Sequence, residues 1–304
     1  MEGMTKATIR ATADDLTQMI RKASLRSRSE GPVHSEIYMS VSNARIEFLA
    51  PITEDWIVSY STFDTGFFDS VDVMQKNLIE KNEGNVEAII NVEDFLTYLS
   101  RAEDNSNQMV EMTLIGDEND RLCHTVRFEG VIFSEMILPA SESNMEEVPL
   151  DSLKLYDDEI YSALRGNDGT MEATIETTVE EIERIVGFVN DHEKPAISPI
   201  AKDKQIYPII IQNDTLLLSV GRGDQQDTVW GELKTEIVAG PDLFNVYSDW
   251  FEKVFESMSG EVRIKTGVNM PLCVIQTGDE HVVRHVLRPL DEATSKRLSA
   301  EPRK

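Results

Sequence analysis

The fold class this sequence predicts is α+β: two duplicated domains, each with two helices packed on antiparallel sheet. Three observations predict it. First, RLCHTVRFEGVIFSEMILP (Arg121–Pro139) and PLCVIQTGDEHVVRHVLRP (Pro271–Pro289) share a leading Leu-Cys, an apolar run and a closing Pro. Cys123 and Cys273, like Pro139 and Pro289, stand 150 residues apart, the mark of an internal repeat. Second, each half holds two segments whose apolar residues recur at helical intervals. Third, the intervening text alternates apolar and polar residues with the period of half-buried strands. Helices on one side of an antiparallel sheet bury a face of each, which makes the arrangement stable as a layer pair.

Taken in chain order, ATADDLTQMIRKAS puts Leu16, Met19, Ile20 and Ala23 on one face of a first helix. SEIYMSVSNARIEFLA and DWIVSYSTF follow as strands, with Ser42-Asn43 as a turn. INVEDFLTYLSRA, with Phe95 and Tyr98, reads as the second helix, and MVEMTL as the strand after it. The second half repeats the pattern. IETTVEEIERIVGFV carries Val179, Ile182, Ile185, Val186 and Val189 at helical spacing, YPIIIQNDTLLLSV and VWGELKTEIV alternate as strands around Asn213-Asp214, and GEVRIKT matches MVEMTL. AGPDLFNVYSDWFEKVF shares the Phe-x-x-Tyr spacing through Phe244 and Tyr247 and is expected to be the fourth helix. Between the halves, MILPASESNMEEVPLDSLK (Met136–Lys154) is acidic and lacks an Asn-Gly or Gly-Gly hairpin signal, so it is expected to cross from one domain to the other. The boundaries are an N-terminal domain over 1–138, a connector and insertion over 139–170, a C-terminal domain over 171–290 and a tail over 291–304.

With 304 residues and 40% hydrophobic content, the chain can bury a core in each half. Its net charge of −26, from 55 acidic against 29 basic residues, is spread along the whole length. Such a surface repels nucleic acid at ordinary salt, and a dispersed acidic coat is what a protein needs to stay hydrated in concentrated salt, where repulsion is screened within a few ångströms. A halophilic origin is the expectation. MEGMTKATIRAT has no apolar targeting core and no run reaches the length of a membrane span, so a cytoplasmic protein with no membrane partner is expected. The cysteines lie in strand-like text without a CxxC, as buried small hydrophobes would.

Catalytic and metal readings find little support. His281 and His285 are four apart, but alternating text places them far apart along a strand rather than on one helical face. GDENDR begins like a calcium loop yet lacks the Gly at position six and the Glu at twelve. GRGD (Gly221–Asp224) reads as a turn, since no helix follows to cradle a phosphate. No GxSxG or P-loop occurs. The expectation is a protein that is not an enzyme, with no catalytic residue, no metal and no cofactor.

VNMPLCVIQ with HVLRPL near the C-terminus, INVEDFLTYLSRA in the first half, and the position of the 136–154 connector together resemble the sliding clamps of the proliferating cell nuclear antigen (PCNA) type over about Ala7 to Leu290. That resemblance implies a ring of three two-domain subunits around double-stranded DNA, with helices lining the hole and sheets outside. It also implies partners: a clamp loader, DNA polymerase and other clamp-binding proteins, the last two docking in a pocket bordered by the connector. Leu49, Pro51, Val148, Leu150, Pro271, Val286 and Pro289 match the positions that form or rim this pocket. Arg288 stands where the family has a small residue before the final Pro, Val286 stands where an aromatic is expected, and the chain is longer around 62–86, 154–170 and in the tail. An altered peptide is therefore expected to bind.

The helix faces bear on the DNA reading. Opposite its apolar stripe the first helix presents Gln18, Arg21 and Lys22, with Arg26 and Arg28 just beyond. The Phe95 helix turns Asp94, Thr97 and Arg101 outward, the 179–189 helix Glu180, Arg184 and Asp191, and the last helix Asn245, Asp249 and Glu252, with Lys253 to one side. One basic face among three neutral or acidic ones is too weak for a conventional nucleic-acid site. A closed ring is held by topology and needs only weak phosphate contact. The competing reading is a clamp-fold scaffold or heteromeric subunit that does not encircle DNA alone.

Overall fold

The computed structural model describes residues 4–25, 34–52, 57–74, 85–100, 108–117, 123, 125–130, 136–139, 162–164, 171–192, 205–212, 215–219, 221–222, 230–233, 236–239, 243–248, 250–267 and 270–289. The chain divides into two compact units. The first comprises Met1–Ile52, Ser59–Pro149 and Gly278–Val283, the second Thr53–Val58, Leu150–Thr277 and Arg284–Lys304.

In the first half the elements run β1 (Met4–Thr12), α1 (Ala13–Ala23), β2 (Glu36–Val41), β3 (Arg45–Ile52), β4 (Ile57–Asp64), a 3-10 turn at Thr65–Phe67, β5 (Ser70–Met74), β6 (Val86–Asn91), α2 (Val92–Ser100), β7 (Met109–Asp117), β8 (Thr125–Gly130) and β9 (Met136–Pro139). One sheet has the order β5-β1-β7-β8-β9, and a second run of strands the order β4-β3-β2-β6. β1 pairs antiparallel with β5 and with β7, the latter from Met4↔Asp117 to Thr12↔Met109, and β7 with β8 and β2 with β3 and β6 likewise. Ser42 makes the β2–β3 turn as expected: its backbone N–H and its hydroxyl both donate to Arg45 O, at 3.0 and 2.9 Å.

The second half runs β10 (Ala173–Thr178), α3 (Val179–His192), β11 (Gln205–Gln212), β12 (Thr215–Ser219), β13 (Gly221–Arg222), β14 (Trp230–Leu233), β15 (Glu236–Ala239), β16 (Leu243–Ser248), α4 (Trp250–Glu256), β17 (Glu261–Thr266), β18 (Leu272–Thr277) and β19 (His281–Leu287). Its strand orders repeat those of the first half. β15-β10-β17-β18-β19 answers β5-β1-β7-β8-β9, and β14-β12-β11-β16 answers β4-β3-β2-β6. The duplication read from the Leu-Cys and Pro positions is thus a duplication of topology.

Two expectations are corrected. Leu243–Ser248 is not helical: LFNVYS forms β16, paired with β11 from Ile206↔Ser248 to Ile211↔Leu243, and the helix is confined to Trp250–Glu256. Phe244, Val246 and Tyr247 suit a pleated surface, and with Tyr247 fully buried, packing on the sheet outweighs the accidental Phe-x-x-Tyr spacing. Asn245, expected on an exposed helix face, is buried at 1% exposure, its amide donating to Gly267 O at 2.7 Å and Thr266 Oγ1 at 3.3 Å. Gly221–Arg222 is likewise a short strand paired with Gln205–Ile206 rather than a turn.

The first unit's core lies between its helices and sheets: Leu16, Met19, Ile20 and Ala23 of α1 and Phe95 of α2 meet Ile9, Met112 and Phe48 of the strands. Phe128 stacks on Tyr98 at 4.3 Å and meets Phe95 edge-on at 4.9 Å, geometries that suit the ring quadrupole. In the second unit Ile182, Ile185 and Val186 of α3 and Phe251, Val254 and Phe255 of α4 are buried. No helix among the described residues is long and apolar enough to cross a membrane.

Candidate nucleic-acid interface and partner pocket

The first strand of each unit runs directly into a helix whose start is fixed by a threonine. Thr12 Oγ1 accepts from Asp15 N–H at 3.1 Å and donates to Asp15 Oδ2 at 2.6 Å, while Asp14 and Asp15 lie near the positive helix start and Arg21 and Lys22 near its negative end. The helix closes with Leu25 at φ 51°, a left-handed position usually given to glycine; the side chain is fully buried, which offsets the backbone cost.

On this helix Gln18 is exposed, with its amide on Asp14 Oδ2 at 2.8 Å, and Arg21 is exposed beside it. Lys22 departs from the expected outward pose. It is half-buried, its Nζ lies 2.7 Å from Nε2 of His281, and burial lowers its amine pKa. His281 is itself held below the usual imidazole value, first by burial and then by the Lys22 charge, with Asp279 acting against them. Arg184 on α3 is exposed and forks onto Glu181, at 2.7 and 3.2 Å, a contact that raises its guanidinium pKa. Lys253 on α4 lies 4.8 Å from the centre of the Trp250 ring, a cation–π contact. Arg26, Arg28 and Arg101, like Asp191 and Asp249, lie outside the described residues or side chains. Gln18 and Arg21 therefore face solvent, while Lys22, Arg184 and Lys253 are engaged with neighbours. Sequence reasoning missed His281 as the partner of Lys22, because a pairing across that span of chain leaves no local signal.

The pocket residues divide between the units. Leu49 sits opposite Tyr38 in the β2–β3 ladder at 2% exposure, and Pro51 follows on the same strand. In the second unit Pro271 is buried just before β18, Val286 on β19 is 1% exposed, and Pro289 is half-buried after it. Leu49 and Val286 are thus buried side chains rather than the open apolar patch expected of them. Val148 and Leu150 lie outside the described residues. Among the described residues no group of three or more His, Cys, Asp or Glu side chains could hold a metal ion. His285 is buried with Nε2 3.0 Å from Ser257 Oγ, a satisfied core histidine.

No model of a known protein family matches the chain. A ribonuclease 3 from Campylobacter fetus subsp. fetus (strain 82-40) is 30% identical over 134 residues, covering 41% of this chain and 58% of that protein. The chain thus spans little more than half the length of this curated relative. Solved structures match over far more of it. A. fulgidus PCNA, in a structure with the C-terminal region of FEN-1 bound, has a TM-score of 0.64 at 13% identity, covering 94% of this chain and 99% of that one. This chain has the PCNA-type clamp fold. The Entamoeba histolytica PCNA gives a TM-score of 0.61 at 11% identity over 94% and 99% of the two chains, and the Thermococcus kodakaraensis PCNA 0.61 at 14% over 93% and 100%. The clamp fold accounts for the repeated strand orders, since it is a duplication that both halves share.

Proposed function

We propose that this chain is a sliding clamp that encircles duplex DNA as a homotrimer and tethers DNA-processing enzymes. The observation that carries the reading is coverage: the likeness to PCNA structures runs through both repeats and nearly the whole length. α1 supplies Gln18 and Arg21, with Lys22, Arg26 and Arg28 nearby in sequence, as a weak, sequence-independent phosphate face. A. fulgidus PCNA carries a FEN-1 segment. For this chain a short peptide with hydrophobic anchors is the matching partner class.

A threading assay tests the ring. Clamp mixed with a biotinylated linear duplex should be retained when streptavidin then caps both ends, and lost when the ends are left open or are capped beforehand. Equal retention in all three arms would replace encirclement by ordinary binding. Changing Arg21, Lys22, Arg26 and Arg28 together to Ala should weaken retention and leave the trimer intact. Calorimetric titration with a glutamine-led peptide ending in two aromatics tests the docking reading, and absence of heat there would remove it.

Charge bears on assembly. At −26 per subunit, three copies repel strongly at low ionic strength, so trimer content by light scattering should rise between about 0.1 and 2 M KCl as the screening length falls from about 10 Å to under 3 Å. The scaffold reading is favoured by one observation, the engagement of Lys22, Arg184 and Lys253 within the protein; a monomer at every salt concentration would select it.

A further inference from the structure

The turn before β19 and the strand's first residues, Gly278–Val283, are counted with the first unit. Asp64 N–H donates to Glu280 O at 2.8 Å, and the Glu280 carboxylate sits 2.7 Å from where a Cβ on Gly66 would lie. Gly278 N–H donates to His281 O at 2.9 Å, and a side chain at Gly278 would collide with the imidazole. The ring stacks on Phe63 of β4 at 5.7 Å and 16° and meets Phe67 of the 3-10 turn edge-on at 5.9 Å and 76°. Glycine, Phe63 and Phe67 fix the imidazole on three sides, and Nε2 points at Lys22 Nζ, 2.7 Å away. The charges facing the ring are Lys22 from α1 and Asp279 from its own turn, with Glu280 alongside; β4 and the 3-10 turn contribute aromatic rings.

An ammonium has donors and no acceptor, so this contact requires a neutral imidazole with its lone pair on Nε2. A proton on Nε2 removes the acceptor and sets two cations against each other. We propose that His281 is the positioning residue of Lys22, a proton-gated latch that holds the amine against the protein when neutral and releases it toward solvent beside Arg21 when protonated. In the clamp reading, on which this last step rests, release adds a cation to the phosphate face of α1. Burial and the Lys22 charge place the imidazole's titration below its ordinary 6.5, so the latch is closed at pH 7 and opens on the acid side.

The full chain tests this with NMR from pH 8 to 4.5, following the His281 ring and the Lys22 side-chain nitrogen. The Lys22 signal should move with the His281 midpoint, and in His281→Phe, which keeps a ring against Phe63, it should no longer follow pH in that range. Lys22→Met should raise the His281 midpoint toward 6.5. A Lys22 signal indifferent to His281, or a midpoint unchanged in Lys22→Met, overturns the latch. Fluorescence anisotropy with a labelled linear duplex then separates the two readings. Opening should steepen the slope of log affinity against log salt by about 0.9, the value for one added phosphate contact. A coupled titration with an unchanged slope keeps the latch and overturns Lys22 as a DNA contact.

Discussion

α1 and α3 hold the same place in the two repeats, and their first turns are built alike. Thr12 Oγ1 accepts from Asp15 N–H at 3.1 Å and Thr178 Oγ1 from Glu181 N–H at 3.2 Å, while Ala13 N–H donates to Gln108 O and Val179 N–H to Gly260 O, both at 2.9 Å. Each helix turns an apolar stripe inward. Their outer faces diverge: α1 carries the exposed Gln18 and Arg21, whereas α3 carries Glu180, whose carboxylate accepts from Gly260 N–H at 3.2 Å, and Arg184 bound to Glu181. Capping and burial set the helix, and solvent-facing charge is free to drift because it contributes little to stability. A duplicated fold can therefore keep one architecture while its two helices present different charge.

Stripe truncation should give the largest effect. Leu16→Ala and Ile182→Ala each remove a fully buried side chain and should cost about 2–5 kcal/mol in denaturant unfolding; a loss below about 1 kcal/mol at either site would show that the two stripes are not equivalent. The first unit has a further sensitivity. His34 is buried with Nε2 3.1 Å from Ser59 Oγ, and burial pushes its pKa down to about 3. Its folded value lies below the unfolded 6.5, so its stabilisation is complete above 6.5 and lost as pH falls toward 3. A loss on the order of 1–3 kcal/mol by pH 4.5 is expected, and His34→Gln should flatten that part of the profile. Thr12→Ala and Thr178→Ala should cost about 1 kcal/mol each, and unequal losses would break the likeness of the caps. Arg184→Ala should leave the unfolding midpoint unchanged, because its pair with Glu181 is exposed to solvent.

Much of the architecture was legible because it rests on local signals. Leu16, Met19 and Ile20 at helical spacing, alternation in SEIYMSVSNARIEFLA and the repeated Leu-Cys report burial patterns, and burial is what the fold satisfies first. Phe244 and Tyr247 misled because a spacing of three suits a helix face as well as opposite faces of a strand. The site was less legible. Exposed Arg21 follows from the α1 stripe, but the turn of Lys22 toward His281 and the burial of Leu49 and Val286 depend on contacts distant in sequence. Alternation shows which strand face is apolar without showing what else covers that strand.

The cysteines lend themselves to a different use. Cys123, whose N–H donates to Glu87 O at 2.7 Å, falls in the first unit and Cys273, in β18, falls in the second, and both are fully buried. Each unit thus carries one built-in thiol clock. Under pulses of a maleimide reagent, modification at either sulfur proceeds only as fast as its surroundings open, so peptide mass spectrometry would time the two halves separately in a single sample, without introducing a probe. Coincident clocks would mean that the repeats open as one cooperative body, and staggered clocks that duplication has left two foldons with separate lifetimes.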